Sequence, residues 1–132
     1  MFTHIDHVML CVPDLNAGVA QFKKLGFNVV AGGEHPGKGT HNAIAFNQDE
    51  YLELLAIRDQ PEHRAASSKP GSADTALNEF IAAGGGIRYV VVQSDDLVAA
   101  RPVLKRNEMC VRQGQHRQQL VERHGSDRKS VV

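Results

Sequence analysis

Residues 5–33 recur at 87–115. At a constant offset of 82, Ile5, Val8, Asp14, Leu15, Ala17, Lys23, Val29 and Gly32 meet identical residues at Ile87, Val90, Asp96, Leu97, Ala99, Lys105, Val111 and Gly114, eight of 29 positions without a gap. Composition alone would give about two such matches. The apolar periodicity is kept while exposed positions differ, so the chain carries one structural unit twice. That repeat constrains the fold more than any other feature, because whatever the first copy builds the second must resemble.

The first copy can be read along the chain. IDHVMLCV, residues 5–12, alternates and is rich in Val, Ile, Leu and Met, which predicts a strand. Pro13 and Asp14 stop it, and Asp14 can cap a helix starting near Leu15. Leu15, Val19, Phe22 and Leu25 recur at helical spacing and form its buried stripe, with Gly26 at the end. FNVVA at 27–31 is a short strand, GGEHPGKGTHN at 32–42 a glycine-rich loop, and NAIAF (42–46) with YLELLAI (51–57) a hairpin. The unit is therefore βαβββ and the fold class α+β.

The segment 58–72, RDQPEHRAASSKPGS, reads as a polar, mobile loop, and DTALNEFIAAG at 74–84 as a helix. IRYVVVQSDDL then opens the second copy, where Pro102 falls inside the second helix; this helix is expected to start late or kink. The expected organisation is one domain over 1–132: a first unit at 1–58, a connecting segment with a helix at 59–86, and an incomplete second unit at 87–132.

Composition narrows the function classes. Fifteen basic residues balance fifteen acidic ones, so no strong field favours nucleic acid or an anionic membrane, and the absence of Trp argues against base stacking. No apolar run approaches the ~20 residues of a membrane-spanning helix. No charged start followed by an apolar run precedes Ile5, so no secretory signal is expected. Cys11 and Cys110 form no metal-type cluster and are expected as thiols in a reducing cytoplasm.

A duplicated βαβββ unit that opens with IDHVMLCVPDL and carries a late YLELLA resembles the vicinal oxygen chelate superfamily. HPGKGTHNAIAF followed by YLELLAI is most similar to its glyoxalase-like domains; the superfamily's plan is shared by glyoxalase I, extradiol dioxygenases, methylmalonyl-CoA epimerase and antibiotic-resistance proteins. The resemblance implies two units whose curled mixed sheet forms a cup. It further implies a divalent metal (Zn, Mn, Ni or Fe) chelated by a small oxygenated substrate. Carried over by position, His7 on the first strand and Glu53 on the fourth would be metal ligands.

Strand alternation agrees with that placement. It puts Val8, Leu10 and Val12 under the helix and Ile5, His7, Met9 and Cys11 on the cup face, with Tyr51, Glu53, Leu55 and Ile57 facing the cup from the fourth strand. A buried carboxylate is relieved of its desolvation cost by pairing or by a metal. A plain His7–Glu53 hydrogen bond is the structural alternative. At the repeat position His7 becomes Tyr89, a poor ligand that can still donate a hydrogen bond, and the counterpart of Glu53 falls at position 135, beyond residue 132.

His41 is the candidate third ligand, and its orientation depends on hairpin register. If Phe46 opposes Tyr51, Asn42 and Ile44 share the face of Glu53 and His41 points away. If Phe46 opposes Glu50, His41 and Ala43 share it. His63, His116 and His124 lie in polar stretches and are expected to be solvated. The glycine-rich loop lacks the spacing of a phosphate-binding loop and reads as a solvated turn.

Two functions are expected. One is a metal-dependent lyase, isomerase or dioxygenase, with Glu53 and Tyr89 in the chemistry and Met9, Asn42, Tyr51 and Leu55 binding substrate. The alternative is a non-catalytic small-molecule binder of the drug-sequestering kind. The polar tail QHRQQLVERHGSDRKSVV lacks the closing hairpin of the first unit, which points to a homodimer, with units exchanged between chains as the fuller form.

Overall fold

The structure, a computed structural model, describes residues 2–47, 50–70, 72, 76–96, 98–100, 102 and 130–131. The elements are β1 (Phe2–Cys11), α1 (Leu15–Lys24), β2 (Asn28–His35), β3 (Thr40–Asn47), β4 (Glu50–Ile57), α2 (Gln60–Ser67), α3 (Leu77–Ala82), β5 (Gly86–Ser94) and β6 (Ser130–Val131). The chain is α+β, and its first 57 residues realise the βαβββ order. It divides into two compact units, Val8–Arg88 and Met1–His7 with Tyr89–Val132.

Within Val8–Arg88, β2, β3 and β4 form an antiparallel meander, and the end of β1 flanks β4, where the Val12 amide donates to the Leu55 carbonyl at 2.8 Å. α1 follows directly from its cap: the Asp14 carboxylate accepts from the Ala17 amide at 2.7 Å, and Lys23 and Lys24 close the last turn. Its stripe of Leu15, Val19 and Phe22 packs on Val29, Ala43, Ala45 and Leu54, with Leu10, Phe27 and Leu52 around them. Leu25, expected in that stripe, is 73% exposed, because it caps the helix instead of continuing it. Alanines at 43 and 45 let the helix sit close to the sheet.

The opposite face of this unit carries a second cluster: Cys11, Leu55 and Leu77, with Met9, Ile57, Phe80 and Ile81 packed on it. The third helix therefore lies on the face read from sequence as an open cup. It spans Leu77–Ala82 where 74–84 was expected; residues 73–75 lie outside the described set. It ends in Gly84, Gly85 and Gly86, all at positive φ. Gly85 admits no side chain, since a Cβ there would stand 2.1 Å from the Cys11 carbonyl oxygen.

Two segments differ from the sequence expectation. The glycine-rich stretch is not one loop: β2 continues through it to His35, with a register shift between Ala31 and Glu34 that absorbs Gly32 and Gly33. Only Pro36–Gly39 turns. Residues 60–67, read as a mobile loop, form α2. Its signals are Asp59, whose carboxylate accepts from the Glu62 amide at 2.9 Å, and Pro61 in the first turn. α2 is held by the β2–β3 turn more than by an apolar stripe. Glu62 accepts from the Gly37 amide at 2.6 Å, and His63 Nδ1 donates to the Lys38 carbonyl at 3.0 Å. His63, expected to be solvated, is fully buried for that reason.

In the other unit, β5 lies between the start of β1 and β6, with Val92 opposite Val131 and Gln93 opposite Ser130. Val91, Gln93, Ser94 and Ala100 are buried there. The repeat resurfaces at Asp96, whose carboxylate accepts from the Val98 and Ala99 amides at 3.0 Å each, as Asp14 does for α1. The second helix thus starts on its cap at the repeat position and not late, with residues 98–100 and 102 helical. Leu97, residues 103–129 and with them Lys105, Cys110, Val111, Gly114, His116 and His124 lie outside the described residues.

Candidate functional site

Hairpin register decides what surrounds Glu53. β3 and β4 pair with Phe46 opposite Tyr51, Ile44 opposite Glu53, Asn42 opposite Leu55 and His41 opposite Ala56. Asn42, Ile44 and Glu53 therefore share one face, and His41 lies on the other. His41 as a ligand beside Glu53 is corrected by this register: a period of two sends it to the side of Ala43 and Ala56.

The Glu53 side chain is buried, at 6% exposure, with a short hydrogen bond from Asn42 Nδ2 to Oε1 at 2.6 Å. The sense of that bond is fixed by the β2 bulge. The Gly33 amide donates to Asn42 Oδ1 at 2.8 Å, and a backbone N–H can only donate. The amide nitrogen of Asn42 must then face Glu53, whose Oε1 is an acceptor. Gly32 is required beside it, because a Cβ there would stand 2.0 Å from Asn42 Oδ1. Two glycines that look like loop residues in the sequence thus position a donor for a buried carboxylate.

Leu55 and Met9, expected to line an open hollow, sit in the cluster under α3. Tyr51 is half-buried, with its ring 6.2 Å from that of Phe46. Cys11 is a buried thiol on the same side of β1 as Met9.

In the unit of Met1–His7 and Tyr89–Val132, His7 is largely covered, its side chain 12% exposed. Its Nδ1 is 2.8 Å from Asp6 Oδ1, and Gln93 Nε2 donates to Asp6 Oδ2 at 2.6 Å. Asp6 and Gln93 are both buried. Tyr89 is half-buried on β5. Sequence reasoning missed Asp6 because strand alternation assigns it to the face opposite His7; the only signal was its adjacency to the histidine. Gln93 was one residue of an apolar strand with nothing to mark it.

Among the described residues, no three His, Cys, Asp or Glu side chains gather as a metal-binding group. With His41 on the opposite face, the described residues do not bring together the three donors that the implied divalent metal would need. No helix among the described residues is long and apolar enough to cross a membrane.

Residues 5–131 match the glyoxalase-like domain family. No curated protein matches the chain. Among solved structures, a hypothetical protein from Staphylococcus aureus is similar at 19% identity and TM-score 0.62, covering 82% of this chain, which spans only 43% of that protein. Methylmalonyl-CoA epimerase from Mycobacterium tuberculosis is similar at 20% identity and TM-score 0.59, over 86% of this chain and 73% of its own. The Streptomyces coelicolor methylmalonyl-CoA epimerase in complex with 2-nitronate-propionyl-CoA gives 20% identity and TM-score 0.58, over 87% and 82%. Such likenesses establish the fold, and the match over 5–131 establishes the family: the chain belongs to the glyoxalase-like domain family of the vicinal oxygen chelate superfamily.

Proposed function

We infer that this protein acts on a small oxygenated molecule at the Glu53 face of β3 and β4, with the Glu53 carboxylate moving a proton beside a carbonyl. The observation that carries this reading is the buried Glu53 carboxylate with its dedicated donor, Asn42, at 2.6 Å. Burying a carboxylate costs several kcal/mol unless it is compensated, and a structural role would be served as well by an apolar side chain. The chemistry is lyase- or isomerase-type. Glu53 takes the proton from the carbon next to the carbonyl, the electron pair moves onto the carbonyl oxygen, and return of a proton re-forms the C–H bond. The methylmalonyl-CoA epimerases of similar fold make an α-acidic acyl thioester the first substrate class to try.

A second reading, binding without chemistry, is favoured by the half-buried rings of Phe46 and Tyr51 on that same face. One experiment separates the two. Methylmalonyl-CoA and related small acyl thioesters are incubated with the protein in deuterated water, and deuterium at the α-carbon is followed by mass spectrometry beside the ligand-induced shift in Tm. Proton transfer predicts exchange that falls ~100- to 10,000-fold in Glu53→Gln. Stabilisation by ligand without exchange would leave the binding reading. Exchange at the parental rate in Glu53→Gln would overturn the role of Glu53.

A further inference from the structure

We propose that α3 is a retractable lid over the Glu53 face of the sheet, opening about the Gly84–Gly86 turn while the sheet beneath stays folded. The assignment rests on the reading of that face as the functional one, and it gives a ligand a way onto a face that α3 covers. It begins with how little holds the helix. α3 has six residues, far short of the ~12–15 at which an isolated helix becomes even marginal in water. Ala76 stands at its N-cap, where Asp14 and Asp59 supply carboxylates to α1 and α2. Leu77 is its one buried residue, and Phe80 and Ile81 are only partly covered. The Arg88 guanidinium lies 5.1 Å from the centre of the Phe80 ring, a contact that is weak where water reaches it.

The turn that follows is built to bend. Gly84 and Gly86 have φ of +109° and +118° with nothing within 4 Å of a Cβ position, so their torsions can change without a side-chain clash. Gly85, between them, rests on the Cys11 carbonyl and keeps the chain on β1. Lifting α3 uncovers Met9, Cys11, Leu55 and Ile57, an apolar floor on the face that carries Glu53. An element held by so few buried side chains opens at a lower cost than the sheet under it.

The test is labelling of Cys11, 1% exposed in the cluster under α3, by a small thiol reagent in the native 132-residue chain carrying Cys110→Ser. It needs neither substrate nor Glu53, so its failure is read separately from that of the proposed chemistry. Lid opening predicts labelling much faster than global unfolding allows, at a rate that stays flat in low urea; labelling through global unfolding rises with urea at the full unfolding slope. Leu77→Ala should accelerate labelling about 30-fold or more where the opening equilibrium limits the rate. Val29→Ala, in the core under α1 on the other face, should lower Tm and leave the rate unchanged. No labelling, a rate that follows global unfolding in urea or in Val29→Ala, or an unchanged rate in a folded Leu77→Ala overturns the lid. The urea dependence of the chain without either core substitution decides even if both variants fail to fold. Lid-type labelling without exchange at the substrate α-carbon removes the chemistry and keeps the lid.

Discussion

Gly39→Ala is expected to destabilise the protein by about 4 kcal/mol or more, a drop in Tm of ~10–15 °C. Two independent costs add. Gly39 sits at φ +66°, a conformation that disfavours any L side chain by about 1–2 kcal/mol. A Cβ there would also lie 2.4 Å from the Asp59 carbonyl oxygen and 2.5 Å from the His63 amide nitrogen, both main-chain atoms at the start of α2. Neither can step aside as a side chain would. The Gly39 carbonyl accepts from the Arg58 and Asp59 amides at 2.8 and 3.0 Å, so retreat of the turn breaks the joint between β4 and α2. Gly37, two residues earlier in the same turn, has φ +78° and open space at its Cβ position. Gly37→Ala should cost only about 1 kcal/mol. Denaturant unfolding of both variants beside the parent reads the difference. Equal losses would mean that close approach of α2 contributes nothing.

This joint shows why some of the structure was legible in the sequence and some was not. α1 announces itself twice over, by the stripe of Leu15, Val19 and Phe22 and by the Asp14 cap, and Asp96 repeats the cap where the 82-residue offset puts it. α2 has no such stripe. Its buried residues are His63 and Ala66, and it is held by Glu62 and His63 reaching the main chain of Gly37 and Lys38, contacts between segments 25 residues apart that no local pattern encodes. The same limit governs the candidate site. Alternation correctly separated Leu52 and Leu54 from Glu53 and Leu55, because each strand's apolar pattern fixes its two faces. It left the β3–β4 register open, since a slip of one residue exchanges Asn42 for His41 beside Glu53 while both hairpins bury alanines and leucines. The Phe46–Tyr51 pairing settles it. The role of Gly32 and Gly33 was illegible for a different reason: a bulge is a property of two strands, and the sequence shows only that one of them is permissive. Asp6 shows how the period-two rule can mislead, since a side chain assigned to one face still reaches the ring of its neighbour.

The second large effect expected is a separation of stability from function at Asn42 and Glu53. Asn42→Leu removes the donor 2.6 Å from a buried carboxylate and should cost about 2–3 kcal/mol, the range for a hydrogen bond to a charged group whose partner stays buried. Glu53→Leu strands the Asn42 amide in the same way, at a smaller cost of about 1–2 kcal/mol. The double variant Asn42→Leu, Glu53→Leu removes both polar groups at once. The Gly33 amide it releases is solvent-exposed and can bond to water. The double variant should therefore lie within about 1 kcal/mol of the parent, which gives a coupling of ~2 kcal/mol or more in a double-mutant cycle. Exchange at the substrate α-carbon should be lost in Glu53→Leu and in the double variant alike, however stable the latter is. A protein that becomes as stable without its buried pair, and only loses chemistry, retains that pair for the reaction. Additive stability losses, with no coupling, would show that Asn42 and Glu53 do not act on one another. Exchange surviving in the stable double variant would place the proton transfer on another side chain.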